Sequence, residues 1–282
     1  MQYKKINGVT DVPVLGIGTW GMGGEAETVT DNDQADIQAI RKAIELGMTH
    51  IDTAEIYGKG HAEELVGEAI KGFDRSKLFI TTKVARRNCA YDNVLAAMDR
   101  SLKRLGTNYV DLYLIHSPNP EIPFSETMKA MDRLVEEGKT RLIGVSNFPV
   151  EQMIEAQKHS KNKITANQVE YNLMTRNDGQ GSANVESEII PYCQANSIMI
   201  IAYRPLAKGI LSSSENNLLG ELAKKYGKTP AQIALNWVIS KKSMVTIPKA
   251  SSVQHLEEDL GAIGWDMDSK DIKKLDEFRL PQ

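Results

Sequence analysis

Asp52, Tyr57, Lys83 and His116 are residue types that, gathered around one point, could hand a proton to an oxygen. A tyrosine with an ordinary pKa of about 10 donates poorly at neutral pH. A nearby ammonium favours the phenolate and lowers that pKa, and Lys83 can serve as the ammonium. Asp52 would hold Lys83 charged and oriented, because a lone lysine in a poorly hydrated site loses its proton through desolvation. A neutral His116 could hydrogen-bond and orient a substrate carbonyl. The set suits protonation of an oxygen that becomes an alcohol as hydride arrives at its carbon. The hydride must come from a cofactor, since no side chain supplies one. Singly, each residue has a plainer role, such as a helix cap, a snorkelling stem, a rim aromatic or a ring bonded to a local carbonyl.

The elements that must position them are visible as short β-branched runs. Asp52 closes the run 49–52, Lys83 closes 78–83 and His116 closes 110–116. Further runs at 12–18, 140–146, 164–170, 198–203 and 245–248 bring the number of strands to eight. Between them, 36–46, 91–105, 124–137, 151–159 and 186–195 carry apolar residues at three- and four-residue spacing, the helical period. Strict βα alternation demands a parallel sheet, and eight units in 282 residues suit an α/β fold of the closed (β/α)8 TIM-barrel kind, one domain over 1–282. The C-terminal ends of the strands then share one face, where barrel enzymes build their sites. Tyr57 reaches that face from the loop after Asp52.

Local signals add detail. Asn7-Gly8 between Tyr3–Ile6 and Val9 has hairpin-turn chemistry, and the hairpin could plug the lower end of the barrel. Thr229-Pro230 reads as an N-cap followed by a first helical residue, opening an extra helix near the C-terminus. The stretch 177–184, rich in Gly, Ser and Asn, reads as a loop. Gly16, Gly18 and Gly21 fit the G-x-G-x-x-G spacing of a dinucleotide fingerprint, with Asp36 at a ribose-acid distance. That reading is rejected, because the fingerprint requires a helix at the third glycine and residues 21–34 are polar and without helical period.

Lys plus Arg number 34 and Asp plus Glu 37, a net charge of −3, which gives no general pull toward nucleic acid or acidic membranes. The two cysteines, Cys89 and Cys193, are too few for a disulfide framework. Residues 1–10 lack the apolar core of a secretion signal, and no run approaches the ~20 apolar residues that span a bilayer, so a cytoplasmic protein is expected.

The chain resembles the aldo-keto reductases, NAD(P)-dependent (β/α)8 enzymes that reduce aldehydes and ketones. The resemblance is carried by Asp52-Thr53-Ala54-Glu55-Ile56-Tyr57-Gly58, by Lys83 and His116 at their strand ends, by the segment Gly138 to Phe148 and by Ile247-Pro248-Lys249. It implies Tyr57 as general acid, tuned by Lys83 and Asp52, with His116 positioning the carbonyl. It implies that Ser146, Asn147 and Gln168 hold the carboxamide of a nicotinamide and that Tyr203 stacks on its ring. Thr19 and Trp20 would lie beside cofactor and substrate, so the glycine-rich segment would touch a dinucleotide without being a fingerprint. Arg204-Pro205-Leu206-Ala207-Lys208-Gly209 looks like the loop over the pyrophosphate, with Arg204 standing where many relatives have Ser.

Lys249, Ser251, Ser252 and His255 are placed by the same resemblance at the adenosine 2′-phosphate, and Glu258 and Asp259 toward adenine. NADPH is therefore the expected cofactor. His255 stands where many NADPH-specific relatives carry Arg, and Asp259 where Asn is common, so NADH use is also expected. After His116 the chain reads Ser117-Pro118-Asn119-Pro120 rather than a bulky Trp, and it ends at Gln282 soon after its last helix. Both point to a broad acceptance of small aldehydes. Two other functions fit the same residues: a cofactor-retaining regulatory subunit on the same fold, and an aldolase-like barrel with Lys83 as Schiff-base nucleophile, against which the pairing with Asp52 argues.

Overall fold

The structure is a computed structural model that describes residues 1–179, 183–213, 217–250 and 252–278. The chain opens with an antiparallel hairpin of β1 (Tyr3–Ile6) and β2 (Thr10–Pro13). Asn7 and Gly8, both at positive φ (52° and 72°), form the turn that the right-handed strand twist favours. Ile6 and Val12 from this hairpin pack with Phe79, Leu112, Leu114, Met199 and Ile201 inside the barrel, so the hairpin does plug its lower end. Lys4 ties the plug down by donating to the carbonyls of Lys241 (2.6 Å) and Met244 (2.9 Å).

Among the described residues eight parallel strands follow: β3 (Ile17–Gly18), β4 (His50–Asp52), β5 (Phe79–Val84), β6 (Val110–Ile115), β7 (Thr140–Ser146), β8 (Ile164–Glu170), β9 (Met199–Tyr203) and β10 (Met244–Thr246). They are hydrogen-bonded in sequence order. The barrel closes where Thr246 N donates to Val14 O (2.9 Å), Gly16 N to Thr246 O (2.9 Å) and Gly18 N to Pro248 O (3.0 Å). Around it run α1 (Asp33–Glu45), α2 (His61–Ala69), α3 (Tyr91–Leu105), α4 (Phe124–Glu136), α5 (Val150–Lys158), α6 (Ile190–Ala195), α7 (Asn217–Tyr226), α8 (Pro230–Ser240), α9 (Val253–Leu260) and α10 (Ser269–Glu277).

Three sequence readings need correction or completion. The run 12–18 is not one strand: Val12 and Pro13 belong to the plug, and only Ile17–Gly18 pairs regularly in the barrel. Pro13 has no N–H to give a ladder, which lets the chain pass there from one sheet to the other. The segment 186–195 is not a single α-helix, because Val185–Ile189 is wound as a π-helix before α6 begins. In the loop 177–184, residues 180–182 lie outside the described residues, while Asn184 N bonds Asn177 O at 2.9 Å across it. Thr229 caps α8 as expected, in a full capping box with Gln232.

Close approach explains one glycine inside a strand. A Cβ on Gly144 would lie 2.7 Å from both the Ala166 carbonyl oxygen and the Leu114 side chain. The barrel interior therefore has no room for a side chain there, although a strand-interior glycine is costly by itself.

Candidate active site

Side chains alternate across a strand, so the inward set on β5 is Phe79, Thr81 and Lys83, and on β4 it is His50 and Asp52. The lower members fill the barrel and the uppermost are polar. The same parity places His116 after Leu112 and Leu114, Ser146 after Gly144, Gln168 after Ala166 and Tyr203 after Ile201. One layer at the C-terminal mouth thus holds a residue from each of six successive strands or strand ends.

Lys83 Nζ lies 2.5 Å from Asp52 Oδ1 and donates also to Thr53 O (2.8 Å) and to the Tyr57 hydroxyl oxygen (3.1 Å). Gln168 Nε2 donates to the other Asp52 oxygen at 2.6 Å. Burial pulls the Lys83 ammonium toward neutrality, but Asp52 and Tyr57 outweigh it and raise its pKa above 10.5. A lysine held charged in this way is a poor Schiff-base nucleophile. Burial lifts the Asp52 carboxyl, with Lys83 and Gln168 opposing.

Tyr57 is buried, edge-on to Trp20 (4.9 Å between ring centroids) and to His116 (5.6 Å). Its pKa departs from the sequence reading. Burial raises it, Lys83 pulls it down by less and Asp52 adds to the rise, so the group lies above 10.0. Much of the Lys83 charge is directed at Asp52, which leaves Tyr57 a neutral phenol in this state. Because its oxygen accepts from Lys83, its own O–H remains to be donated elsewhere. His116 is pushed down to about 3 by burial and then by Lys83, which makes it the neutral imidazole expected, and its Nδ1 is buried without a partner.

The loop carrying Tyr57 is fixed by contacts that sequence reading missed. Glu55 Oε1 accepts from Ala85 N (2.6 Å) and Asn88 Nδ2 (2.9 Å), locking the loop to the end of β5. Gly58 follows at φ 53°, and a Cβ there would lie 2.3 Å from Gly23 O. Behind β5, the buried Glu63 accepts from Thr82 Oγ1 (2.5 Å) and Arg104 Nε (2.7 Å). Glu55 stood in plain view within the Asp52-to-Gly58 motif; Glu63 and Arg104 carry no sequence signal beyond being polar on helix faces.

Beside this cluster, Ser146 Oγ donates to Gln168 O (3.0 Å), Asn147 Nδ2 to His116 O (3.2 Å) and Tyr203 OH to Asn147 Oδ1 (3.1 Å). Thr19 Oγ1 donates to Asp52 O (3.0 Å), and Trp20 stands 38% exposed at the rim. The glycine-rich segment passes between rim and barrel wall as a turn, and α1 begins only at Asp33, so no fingerprint helix exists there. The segment also runs close to the chain leaving β10, for a Cβ on Gly21 would come within 3.2 Å of Lys249 Nζ.

Arg204 does not simply turn to solvent. Its guanidinium pairs with Glu170 Oε2 at 3.4 Å, and its backbone sits at φ 51°. Ala207, Lys208 and Gly209 also have positive φ (48°, 57° and 93°), and Leu206 packs against the core while Lys208 is exposed. Strained backbone of this kind collects at ligand clamps. Ser252 caps α9 by accepting from His255 N (3.2 Å), His255 is exposed and Glu258 half-buried, whereas Ser251 lies outside the described residues.

Asp259 departs from the expectation of a ligand-facing residue. It is buried, its Oδ2 has no partner, and burial with a smaller push from Glu258 raises it to about 8. Since its folded pKa lies above the unfolded 3.8, the cost of ionising it is absent at low pH, grows as pH rises from about 4 to 8 and is constant above. Asp259→Asn should therefore melt several degrees above the parent at pH 9, with the difference closing toward pH 4; a pH-independent difference would show that the carboxyl is not buried neutral.

The donor set fits a nicotinamide dinucleotide phosphate. The Asn147 and Gln168 amides and the Ser146 hydroxyl lie at the ends of β7 and β8, the Tyr203 ring lies partly open beside Asn147, and the cations Arg204, Lys208 and Lys249 follow the ends of β9 and β10 in the chain. Comparison with known proteins agrees. The aldo/keto reductase family model matches residues 14–280. The chain is 37% identical to the methylglyoxal reductase of Escherichia coli (strain K12), covering 98% of this chain and 95% of that one. It is 34% identical to a glyoxal reductase of Bacillus subtilis (strain 168), over 97% of this chain and 91% of that one. A crystal structure of a thermostable aldo-keto reductase with the inhibitor epalrestat superposes with a TM-score of 0.92 at 42% identity, covering 98% and 99% of the two chains. An aldo/keto reductase from Klebsiella pneumoniae in complex with NADP and acetate gives 0.86 at 36% identity, covering 96% and 93%.

Proposed function

Since this chain belongs to the aldo/keto reductase family, we propose that it is an NADPH-dependent reductase of small reactive aldehydes and ketones, acting as one barrel domain over residues 1–282 in the cytoplasm. The observation that carries this reading is the 3.1 Å contact from Lys83 Nζ to a Tyr57 hydroxyl that is itself a neutral phenol. NADPH supplies hydride when bound; every other step falls to the chain. The carbonyl oxygen accepts the Tyr57 proton and a hydrogen bond from the neutral His116. As the proton leaves, the developing phenolate meets an ammonium already in place, so the site needs no reorganisation at that moment. Asp52 and Gln168 keep that ammonium charged and aimed. Trp20 covers the outer side and limits water.

Ser146, Asn147 and Gln168 would hold the nicotinamide carboxamide, Gln168 through its Oε1 and the second N–H of Nε2, the first being engaged with Asp52. Tyr203 carries the ring, Thr19 supports the adjacent wall, and Arg204, Leu206 and Lys208 cover the diphosphate. Lys249 with Ser251, Ser252 and His255 takes the 2′-phosphate, and Glu258 flanks the adenine, while the buried Asp259 stands behind it. Among the described residues no helix is long and apolar enough to cross a membrane.

Methylglyoxal and glyoxal are the first substrates to assay, as relatives are named for them. A panel in which one bulky ketone is strongly preferred and small aldehydes are not turned over would reject the substrate class. The phosphate assignment has its own test. Lys249→Ala should raise KM for NADPH about 10- to 100-fold, the value of a charge-assisted contact, and leave KM for NADH unchanged. Equal losses with both cofactors would mean that Lys249 does not read the 2′-phosphate.

A further inference from the structure

Glu170 is the last residue of β8 and, by strand parity, faces the mouth two positions above Gln168. An acid there is unhelpful for binding an anionic dinucleotide, and it is paired with Arg204. The pair is a single contact at 3.4 Å between Nη1 and Oε2 rather than a two-pronged grip, and both side chains keep some solvent contact, 30% for Arg204 and 10% for Glu170. Arg204 is held from the backbone side as well. Its carbonyl accepts from Asn172 Nδ2 at 3.0 Å, and Asn172 Oδ1 is in turn occupied by Met174 N and Thr175 N. A positive φ at a non-glycine residue therefore aims this guanidinium, whose carbon lies 5.8 Å from the Tyr203 ring centroid.

We infer that Glu170 and Arg204 form an exchange pair: Glu170 holds the guanidinium beside Tyr203 in the free enzyme and yields it to a phosphate oxygen of the incoming dinucleotide. The inference rests on the proposed cofactor use and adds a residue, Glu170, that acts through Arg204 as a brake on cofactor affinity. Neutralising one side of a loose carboxylate contact frees the guanidinium for its stronger phosphate partner. Glu170 is a positioning residue here, and its loss should speed no chemical step of its own. The same carboxylate also favours the neutral form of Tyr203, an effect that the Tyr203→Phe background removes.

The test is equilibrium binding of NADP+ to the ligand-free protein, followed by quenching of tryptophan fluorescence at two salt concentrations. The parent, Glu170→Gln, Arg204→Ser and the double variant are compared. Glu170→Gln should tighten binding about five-fold, Arg204→Ser should weaken it about ten-fold, and the double variant should match Arg204→Ser, because the brake acts only through the arginine. The Glu170→Gln gain should survive in Tyr203→Phe. An unchanged Kd in Glu170→Gln, or a gain that persists without Arg204, overturns the exchange pair. So does an unchanged Kd in Arg204→Ser with a selective rise in its KM for carbonyl substrates that carry a carboxylate, which would make the arginine's partner a substrate group. No NADP+ binding by the parent would instead reject the cofactor reading itself. Melting temperatures of all variants identify any that fail to fold, and Glu170→Asp, which keeps the charge, should behave as the parent.

Discussion

Tyr57→Phe is expected to lower kcat for methylglyoxal by about 10²–10⁴-fold, the range of a positioned general acid, while the Kd for NADPH stays within about two-fold. The ring keeps its edge contacts with Trp20 and His116, so the variant removes one oxygen and little packing. The parent should hold a level kcat/KM through neutral pH and lose activity only above pH 10.0, since burial places the phenol above that value. At neutral pH the acid is loaded; activity falls only where the buried phenol itself ionises, beyond the ordinary tyrosine range. A variant that keeps full activity would mean that another group, with the Lys83 ammonium 3.1 Å from the Tyr57 oxygen the nearest, donates the proton.

The second large effect concerns Lys83. Lys83→Met should abolish turnover to a similar degree and also lower stability by about 3–5 kcal/mol, because Asp52 is left buried without its counter-charge. Asp52→Asn in the same chain should return much of the lost stability and none of the activity. That split separates two roles of one ion pair: a structural one, in which the pair need only be neutral overall, and a chemical one, in which an ammonium must face the phenol. Urea unfolding of the single and double variants measures the first, and single-turnover rates measure the second. Equal stability of Lys83→Met and the parent would contradict the buried-pair description.

How much of this could be read from the chain depends on the distance over which each feature is decided. Asp52, Lys83 and His116 were legible because each ends a β-branched run, and a two-residue period with eight parallel strands brings those ends to one face. Thr229 and the Asn7-Gly8 turn were legible because caps and turns are set by neighbouring residues. The division of 12–18 between plug and barrel was not, since it depends on which sheet reaches those residues first. The direction of the Tyr57 shift was also hidden. Sequence shows that an ammonium is near, but not that the phenol is buried and that Asp52 takes much of the Lys83 charge. Asp259 and the Glu170–Arg204 contact belong to the same group, for burial and ion pairing between separate strands and helices leave no local pattern.

The most direct measurement is the reaction of the parent protein with methylglyoxal and NADPH deuterated at the transferable position, with the product identified by NMR. The expected product is an alcohol that carries one deuterium on the former carbonyl carbon, formed in equal amount to the NADPH consumed. Tight NADPH binding without product across a panel of small aldehydes and ketones would contradict the reductase reading and would favour a cofactor-retaining regulatory protein on the same fold.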